Sequence, residues 1–496
     1  MTVTFDSQAR EELTSANSGK IYGLLAGLVA YLLVHFVAPL PEGMEPQAKE
    51  VAAVLALMMI WWLSEAVPLA VTALVPLVLF SMTGVMDIGD AASAYGNPVI
   101  FLFMGGFILA IAMERWGLHM RIALNIVRVV GTSANTVIAG FMIATAFLSM
   151  WISNTATVVM MIPICLSVIR LLMRDESARN PQGVSNFATT MMLGLAFAAS
   201  IGGVGTIIGT PPNAVFAGYV RNAYDIEIGF AQWMQLALPV VIMMLAACWA
   251  VLVFLYPNRM GKIDGAEAII KDELAKLGRW SRGEKVIAVI FTSTALLWIF
   301  RPLISGALPG VQLNDASIAI MGAIAVFLVP ISIKKGEMLL TWKEAEALPW
   351  GILLLFGGGL CLASAVKASQ LAEWVGAKIQ SVVDVSQFML ILIIAGVVKL
   401  LTEFMSNVAT ITTFLPILAA LAAAFGYAPL ELMIPATMSA SFAFMTPVAT
   451  PPNAVVFGSG YVRIKQMAYA GFWLNVITMI IAPAFCYYFI DYAFKL

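Results

Sequence analysis

A polar phrase that occurs twice in an otherwise apolar chain limits what this sequence can fold into more than any other feature. Phe147 to Pro163 (FLSMWISNTATVVMMIP) contains Ser153-Asn154-Thr155, and Phe404 to Pro416 (FMSNVATITTFLP) contains Ser406-Asn407-Val408. A second shared phrase follows each: Gly209-Thr210-Pro211-Pro212-Asn213-Ala214-Val215 in the first half, Ala449-Thr450-Pro451-Pro452-Asn453-Ala454-Val455 in the second. The triplets are offset by 253 positions (Asn154 to Asn407) and the second phrases by 240 (Thr210 to Thr450), so the halves align with a modest gap between motifs. Gly105-Gly106 returns in Gly357-Gly358-Gly359 at an offset of 252 (Gly105 to Gly357), which extends the correspondence. The chain is an internal repeat, and the repeat carries its polar groups.

The rest of the sequence fixes the medium. With 61% hydrophobic and 11% charged residues and a mean hydropathy of +0.93, the chain is far more apolar than a soluble domain, where about a quarter of residues are charged. Apolar segments recur from Ile21 to Pro483, each near the roughly 20 residues that a bilayer-spanning helix needs. The expected class is an all-α polytopic membrane protein. A net charge of −1 leaves no basic surface for nucleic acid. Residues 1–20 are polar and of mixed charge, unlike a removable leader. Cys165, Cys248, Cys361 and Cys486 lie scattered in apolar runs without CxxC spacing and read as packing residues.

In chain order the expected division is a cytoplasmic segment (1–20), a first transmembrane helix and loop (21–50), a first repeat (51–256), a charged linker (257–285) and a second repeat (286–496). The run from Val51 to Met82 exceeds one membrane thickness and is expected to break at Ser64-Glu65-Ala66-Val67-Pro68. In the linker, basic residues outnumber acids and IIKDELAKLGRW suggests an amphipathic surface helix, which places the linker in the cytoplasm. The pattern gives about 11 spans plus two shorter re-entrant pieces. An odd span count puts the N-terminus inside and the C-terminus outside.

Irregular backbone at membrane depth is tolerated only where protein or water surrounds it. Pro-Pro cannot lie within a continuous helix but can begin one, so Thr210-Pro211 and Thr450-Pro451 read as helix starts, each Thr an N-cap and each first Pro at the first helical position. Helix N-termini offer free N–H groups and partial positive charge to an anion, while unwound carbonyls take a small cation such as Na⁺. Serine, asparagine and threonine supply further donors and acceptors. The combination fits a carboxylate ligand with sodium beside it. No motif residue is cationic; Lys399 and Glu403, one turn apart before the second triplet, read as a structural ion pair at least as readily as a coupling pair. Glu65 and Arg301 read as snorkelling span ends, the glycine pairs as close helix packing, and His35 and His119 as incidental. Neither HExxH nor GxSxG occurs, which argues against a hydrolase.

The triplets, the glycine-rich helices, SFAFMTPVATPPNAVVFG near the C-terminal end and WWLSEAVP near the start together resemble the divalent anion/sodium symporter family, the sodium-coupled di- and tricarboxylate transporters, from about Val51 onward. The resemblance implies an elevator-type homodimer in the cytoplasmic (inner) membrane. Each protomer would have scaffold and transport domains, inverted repeats, and two re-entrant hairpins with the triplets at their tips. It implies substrates such as succinate, malate and fumarate, sometimes citrate or sulfate. It implies one sodium site at Ser149, Ser153, Asn154 and Gly209, and another at Thr402, Met405, Asn407 and Ala449. Substrate carboxylates would meet Ser153, Asn154, Thr155, Ser406, Asn407 and Val408 and the turns at Thr210-Pro211 and Thr450-Pro451. Val408 stands where the strict motif has threonine, so one hydroxyl contact is lost and the preferred substrate stays open. A sodium-independent dicarboxylate exchanger of the same fold is the alternative reading.

Overall fold

A computed structural model describes residues 19–131, 133–175, 180–261, 263, 265–307, 310, 313–380 and 385–494. Among these, ten helices are long and apolar enough to cross a membrane, and four shorter apolar helices accompany them. A short antiparallel strand pair, Pro330–Ser332 with Glu337–Met338, is the one sheet among the described residues.

The repeat appears as two copies of one module. In the first, helix Ala134–Ser149 turns through Met150–Ser153 into helix Asn154–Asp175, and a broken span follows, Pro181–Gly203 then Pro211–Tyr224. In the second, Gln387–Thr402 turns into Asn407–Phe425 and is followed by Pro429–Ser441 and Pro451–Gly458. The leading arm of each hairpin has 16 residues, about 24 Å at 1.5 Å per residue and short of a hydrocarbon core of roughly 30 Å. The second arms, Asn154–Arg174 and Asn407–Phe425, are long and apolar enough to cross, and the triplets lie at the turns of the hairpins. The modules interlock reciprocally: Pro451–Gly458 packs on the first hairpin's second arm, and Pro211–Tyr224 packs on the second hairpin's second arm.

Beside the modules stands a frame. Helix Pro98–Arg115 packs on Asp315–Leu328, and Trp350–Ala368 packs on the pieces after the expected break at Glu65. Glu65 does end its helix, in the left-handed conformation. The glycine pairs serve packing. A Cβ on Gly105 would lie 2.6 Å from the Ala319 backbone, and one on Gly358 2.2 Å from the Ala73 carbonyl oxygen. The four cysteines are buried and free. The linker forms helix Ala266–Lys276, which lies against Leu118–Val130 and the first hairpin.

Three charged or imidazole side chains have partners that the sequence reading did not name. Arg301 has its Nη1 2.6 Å from Glu227 and its Nε 3.1 Å from Asp315, acids on other segments. Glu403 does not pair with Lys399. Its carboxylate accepts from the N–H groups of Phe444 and Met445, 2.8 Å each, and from Asn475 Nδ2 at 2.7 Å, donors that saturate it. His35 pairs with Glu50 and stacks on Tyr31, within the π-helical end of the first span, Leu33–Val37.

Candidate functional site

The two hairpin tips meet the two helix breaks with nearly the same bonds. Ser149 Oγ lies 2.6 Å from Asn154 Oδ1 and 2.7 Å from the Ala199 carbonyl oxygen. At matched positions Thr402 Oγ1 lies 2.8 Å from Asn407 Oδ1 and 2.7 Å from the Ala440 carbonyl oxygen. A hydroxyl has one proton. In each module, then, one of these oxygens faces the hydroxyl with no hydrogen between them.

The breaks are held by the asparagine that ends each Thr-Pro-Pro-Asn phrase. Asn213 Nδ2 donates to the carbonyls of Val204 (3.3 Å) and Thr206 (2.8 Å), and Asn453 Nδ2 to those of Ala443 (3.2 Å) and Thr446 (3.0 Å). Thr206 Oγ1 donates to the Met150 carbonyl at 2.5 Å, and Thr446 Oγ1 to the Glu403 carbonyl at 2.7 Å. These bonds satisfy carbonyls that would otherwise be orphaned in low dielectric. Asn213, Asn453, Thr206 and Thr446 are positions holding the breaks beside the candidate site that the sequence reading did not single out. The signal was present, because both asparagines belong to the repeated phrase.

Gly203 tests whether the first cluster suits a cation. A Cβ built there would sit 2.6 Å from Asn154 Oδ1 and 3.1 Å from the Gly209 carbonyl oxygen. Asn154 and the Gly209 carbonyl press against Gly203 so closely that a side chain has no room there, and Ser149 Oγ meets the same Asn154 Oδ1. The chemistry of these donors, hydroxyl, amide and carbonyl oxygens, is the kind that a small hard cation takes. Among the described residues no three His, Cys, Asp or Glu side chains converge, so the donors are hydroxyl, amide and carbonyl oxygens. Gly203→Ala is expected to cut sodium-driven uptake at least tenfold while the protein still purifies. Uptake within twofold of wild type would mean that Gly203 is only a packing contact.

The remaining positions divide. Thr402 and Asn407 come together, and Ala449 lies buried at the end of the second break, its N–H on Thr446. Met405 and Thr155 are half-buried at the tips. Ser153 is exposed, and its Oγ accepts the Ala156 N–H at 3.2 Å as a local helix cap. Ser406 and Val408 engage through their carbonyls, which accept from Thr410 and Thr412. Pro211 and Pro451 stand at the helix starts as expected. Thr450 caps its helix, accepting Asn453 N–H at 3.3 Å, whereas Thr210 makes no such bond.

Exposure separates the modules. Ile208 is 7% exposed, with its side chain against Gly106 of the frame, whereas Val448 at the matching position is 84% exposed. The first break is covered and the second is open.

Paired hairpins, mirrored helix breaks and oxygen-rich tips define a multi-pass membrane transporter of the secondary type, not an enzyme. Residues 19–491 match the family described as the sodium:sulfate symporter transmembrane region. The chain belongs to that family. It is 40% identical over 485 residues to the sodium-dependent dicarboxylate transporter SdcS of Staphylococcus saprophyticus, covering 97% of this chain and 93% of the relative. It is 41% identical over 490 residues to the protein of the same name in Staphylococcus aureus strain USA300, covering 98% and 94%. Among solved structures, the YdaH transporter of Alcanivorax borkumensis, described as having an unusual topology, shares the fold with a TM-score of 0.51 at 14% identity, covering 82% of this chain and 87% of that one.

Proposed function

We propose that this protein carries C4-dicarboxylates such as succinate, malate and fumarate together with sodium across the cytoplasmic membrane. The observation that carries the reading is the mirrored pair of oxygen clusters at the hairpin tips, Ser149 Oγ with Asn154 Oδ1 and the Ala199 carbonyl in one, Thr402 Oγ1 with Asn407 Oδ1 and the Ala440 carbonyl in the other. The names of the relatives, sodium-dependent dicarboxylate transporters at 40% and 41% identity, support both ligand and ion. The carboxylates would lie across the tips, at Ser153, Asn154, Thr155, Ser406, Asn407 and Val408, facing the helix starts at Thr210-Pro211 and Thr450-Pro451. Sodium would sit at the two clusters, Ser149, Ser153, Asn154 and Gly209 in one and Thr402, Met405, Asn407 and Ala449 in the other.

The working unit is a homodimer in which the hairpin modules move against the frame as an elevator. The N-terminus lies in the cytoplasm and the C-terminus outside. The contrast between buried Ile208 and exposed Val448 supports a site reached from one side at a time, and the basic linker supports the orientation.

Electrostatics orders the binding steps. A dicarboxylate brings two charges, and unpaired charge in low dielectric costs several kcal/mol per ion. Each helix N-terminus offsets up to about 2 kcal/mol in a partly buried setting. Sodium supplies the balance, so it binds first and raises succinate affinity, and by linkage succinate raises sodium affinity by the same factor. Succinate uptake into proteoliposomes tests the reading. An inward sodium gradient is expected to drive accumulation, and equal uptake in sodium and choline, with counterflow from preloaded vesicles, would establish the exchanger instead.

A further inference from the structure

The modules differ in charge at one matched place. In the first, Ala146 sits against Gly202 so tightly that a Cβ on the glycine would lie 2.1 Å from the Ala146 carbonyl oxygen. In the second, the matching positions are Lys399 and Phe442, and Glu403 stands where the first has Met150. Lys399 is 2% exposed and its Nζ has no hydrogen-bond partner. Instead it lies 4.5 Å from the Phe444 ring centroid and 5.9 Å from that of Phe442, a cation–π arrangement. Glu403 is 3% exposed. Its carboxylate holds Phe444 N–H, Met445 N–H and the Asn475 amide, and its carbonyl accepts from Thr446. One turn of helix thus grips the second break through both a cation and an anion. The same turn contains Thr402, and the same break supplies the Ser441 carbonyl that Asn407 Nδ2 approaches at 3.4 Å.

We propose that Lys399 and Glu403, which make no ion pair with each other, are positioning residues of opposite charge that together set the sodium affinity of the second cluster, a control that the first cluster lacks. The inference rests on the sodium-coupled reading above. Glu403 attracts a cation at Thr402 and Asn407 and orders the break that helps hold it; Lys399 repels the same cation and keeps the affinity low enough for release. The two effects are opposite in sign, so each residue offsets the other.

Removing one charge therefore moves sodium affinity in a direction that a merely structural residue would not. Sodium binding to the purified full-length protein without substrate is read from the sodium concentration that gives half-maximal thermal stabilisation. Lys399→Gln is expected to tighten it and Glu403→Gln to weaken it, each on the order of tenfold, the scale of a single nearby charge acting through a partly screened interior. The double variant is expected to return to within about threefold of wild type, and Lys399→Arg to stay near wild type. Shifts in the same direction for both single variants, or no shift in either, would overturn the proposal. Should Glu403→Gln fail to purify, Lys399→Met decides alone: tighter sodium binding supports the proposal, and unchanged or weaker binding refutes it. Wild-type protein with no sodium response would instead defeat the function on which the inference stands.

Discussion

Asn154→Ala and Asn407→Ala are each expected to reduce sodium-driven succinate uptake to background while the protein elutes as wild type in size-exclusion chromatography. Each amide oxygen closes a hairpin tip, lying 2.6 Å from Ser149 Oγ or 2.8 Å from Thr402 Oγ1. Each residue also opens the second arm of its hairpin, the helix start that the proposed function turns toward the substrate. Alanine leaves the hydroxyl and a backbone carbonyl without the third oxygen of the set. A lost polar contact to an ion costs about 1.5–3 kcal/mol, or roughly ten- to a hundredfold in affinity. Under the proposed binding order the loss propagates to the anion. The fold tolerates the change, since both side chains are only half-buried. Near-normal uptake by either variant would remove that residue from the site.

The largest effect on stability is expected from Arg121→Ala, far from the hairpin tips. Arg121 Nε lies 2.8 Å from Glu284 Oε1, and its Nη2 donates to the carbonyls of Leu277 and Gly278 at 3.2 Å each. Both side chains are buried, and the guanidinium also lies over Trp280. The contact ties helix Leu118–Val130 to the end of the linker and the start of the next span. Removing one member of a buried pair leaves the other charge uncompensated, which costs about 3–5 kcal/mol. The melting temperature in detergent should fall by several degrees, and Glu284→Gln added to Arg121→Ala should recover part of the loss. Lys276→Ala, which breaks exposed pairs on the linker helix, should leave the melting curve in place. A melting temperature for Arg121→Ala within a degree of wild type would show that the pair contributes nothing net.

What could be read from the sequence was what is local or repeated. The Pro-Pro starts, the break at Glu65, the packing glycines and the linker helix each follow from a few adjacent residues, and the structure has them where the residues put them. The Ser-Asn tips were legible because they occur twice. The partners that were missed lie far along the chain. Glu403 is satisfied by N–H groups 41 and 42 positions away, while Lys399, four positions earlier, offered an obvious and wrong partner. Arg301 pairs with Glu227 on another segment, and no periodicity announces such a contact. Asn213 and Asn453 were missed for another reason: a helix start accounts for the prolines before them, and nothing local says that their amides point back into the break.

The unequal covering of Ile208 and Val448 bears on what evolution could adjust. Two residues at the same place in a repeat differ in environment only because something outside the repeat breaks the equivalence, and here that is the frame helix carrying Gly106. Under the proposed elevator motion, handing the cover from one half to the other would require no new secondary structure, only a rigid displacement. The bias between the two resting positions would then be a small difference between two similar packing energies, of the order of a few kcal/mol for both to be populated. Methyl-sized changes where frame and modules meet, remote from ligand and ion, would be enough to reset it. A lineage could thus retune how long its carrier dwells on each side of the membrane while leaving the chemistry of the tips untouched.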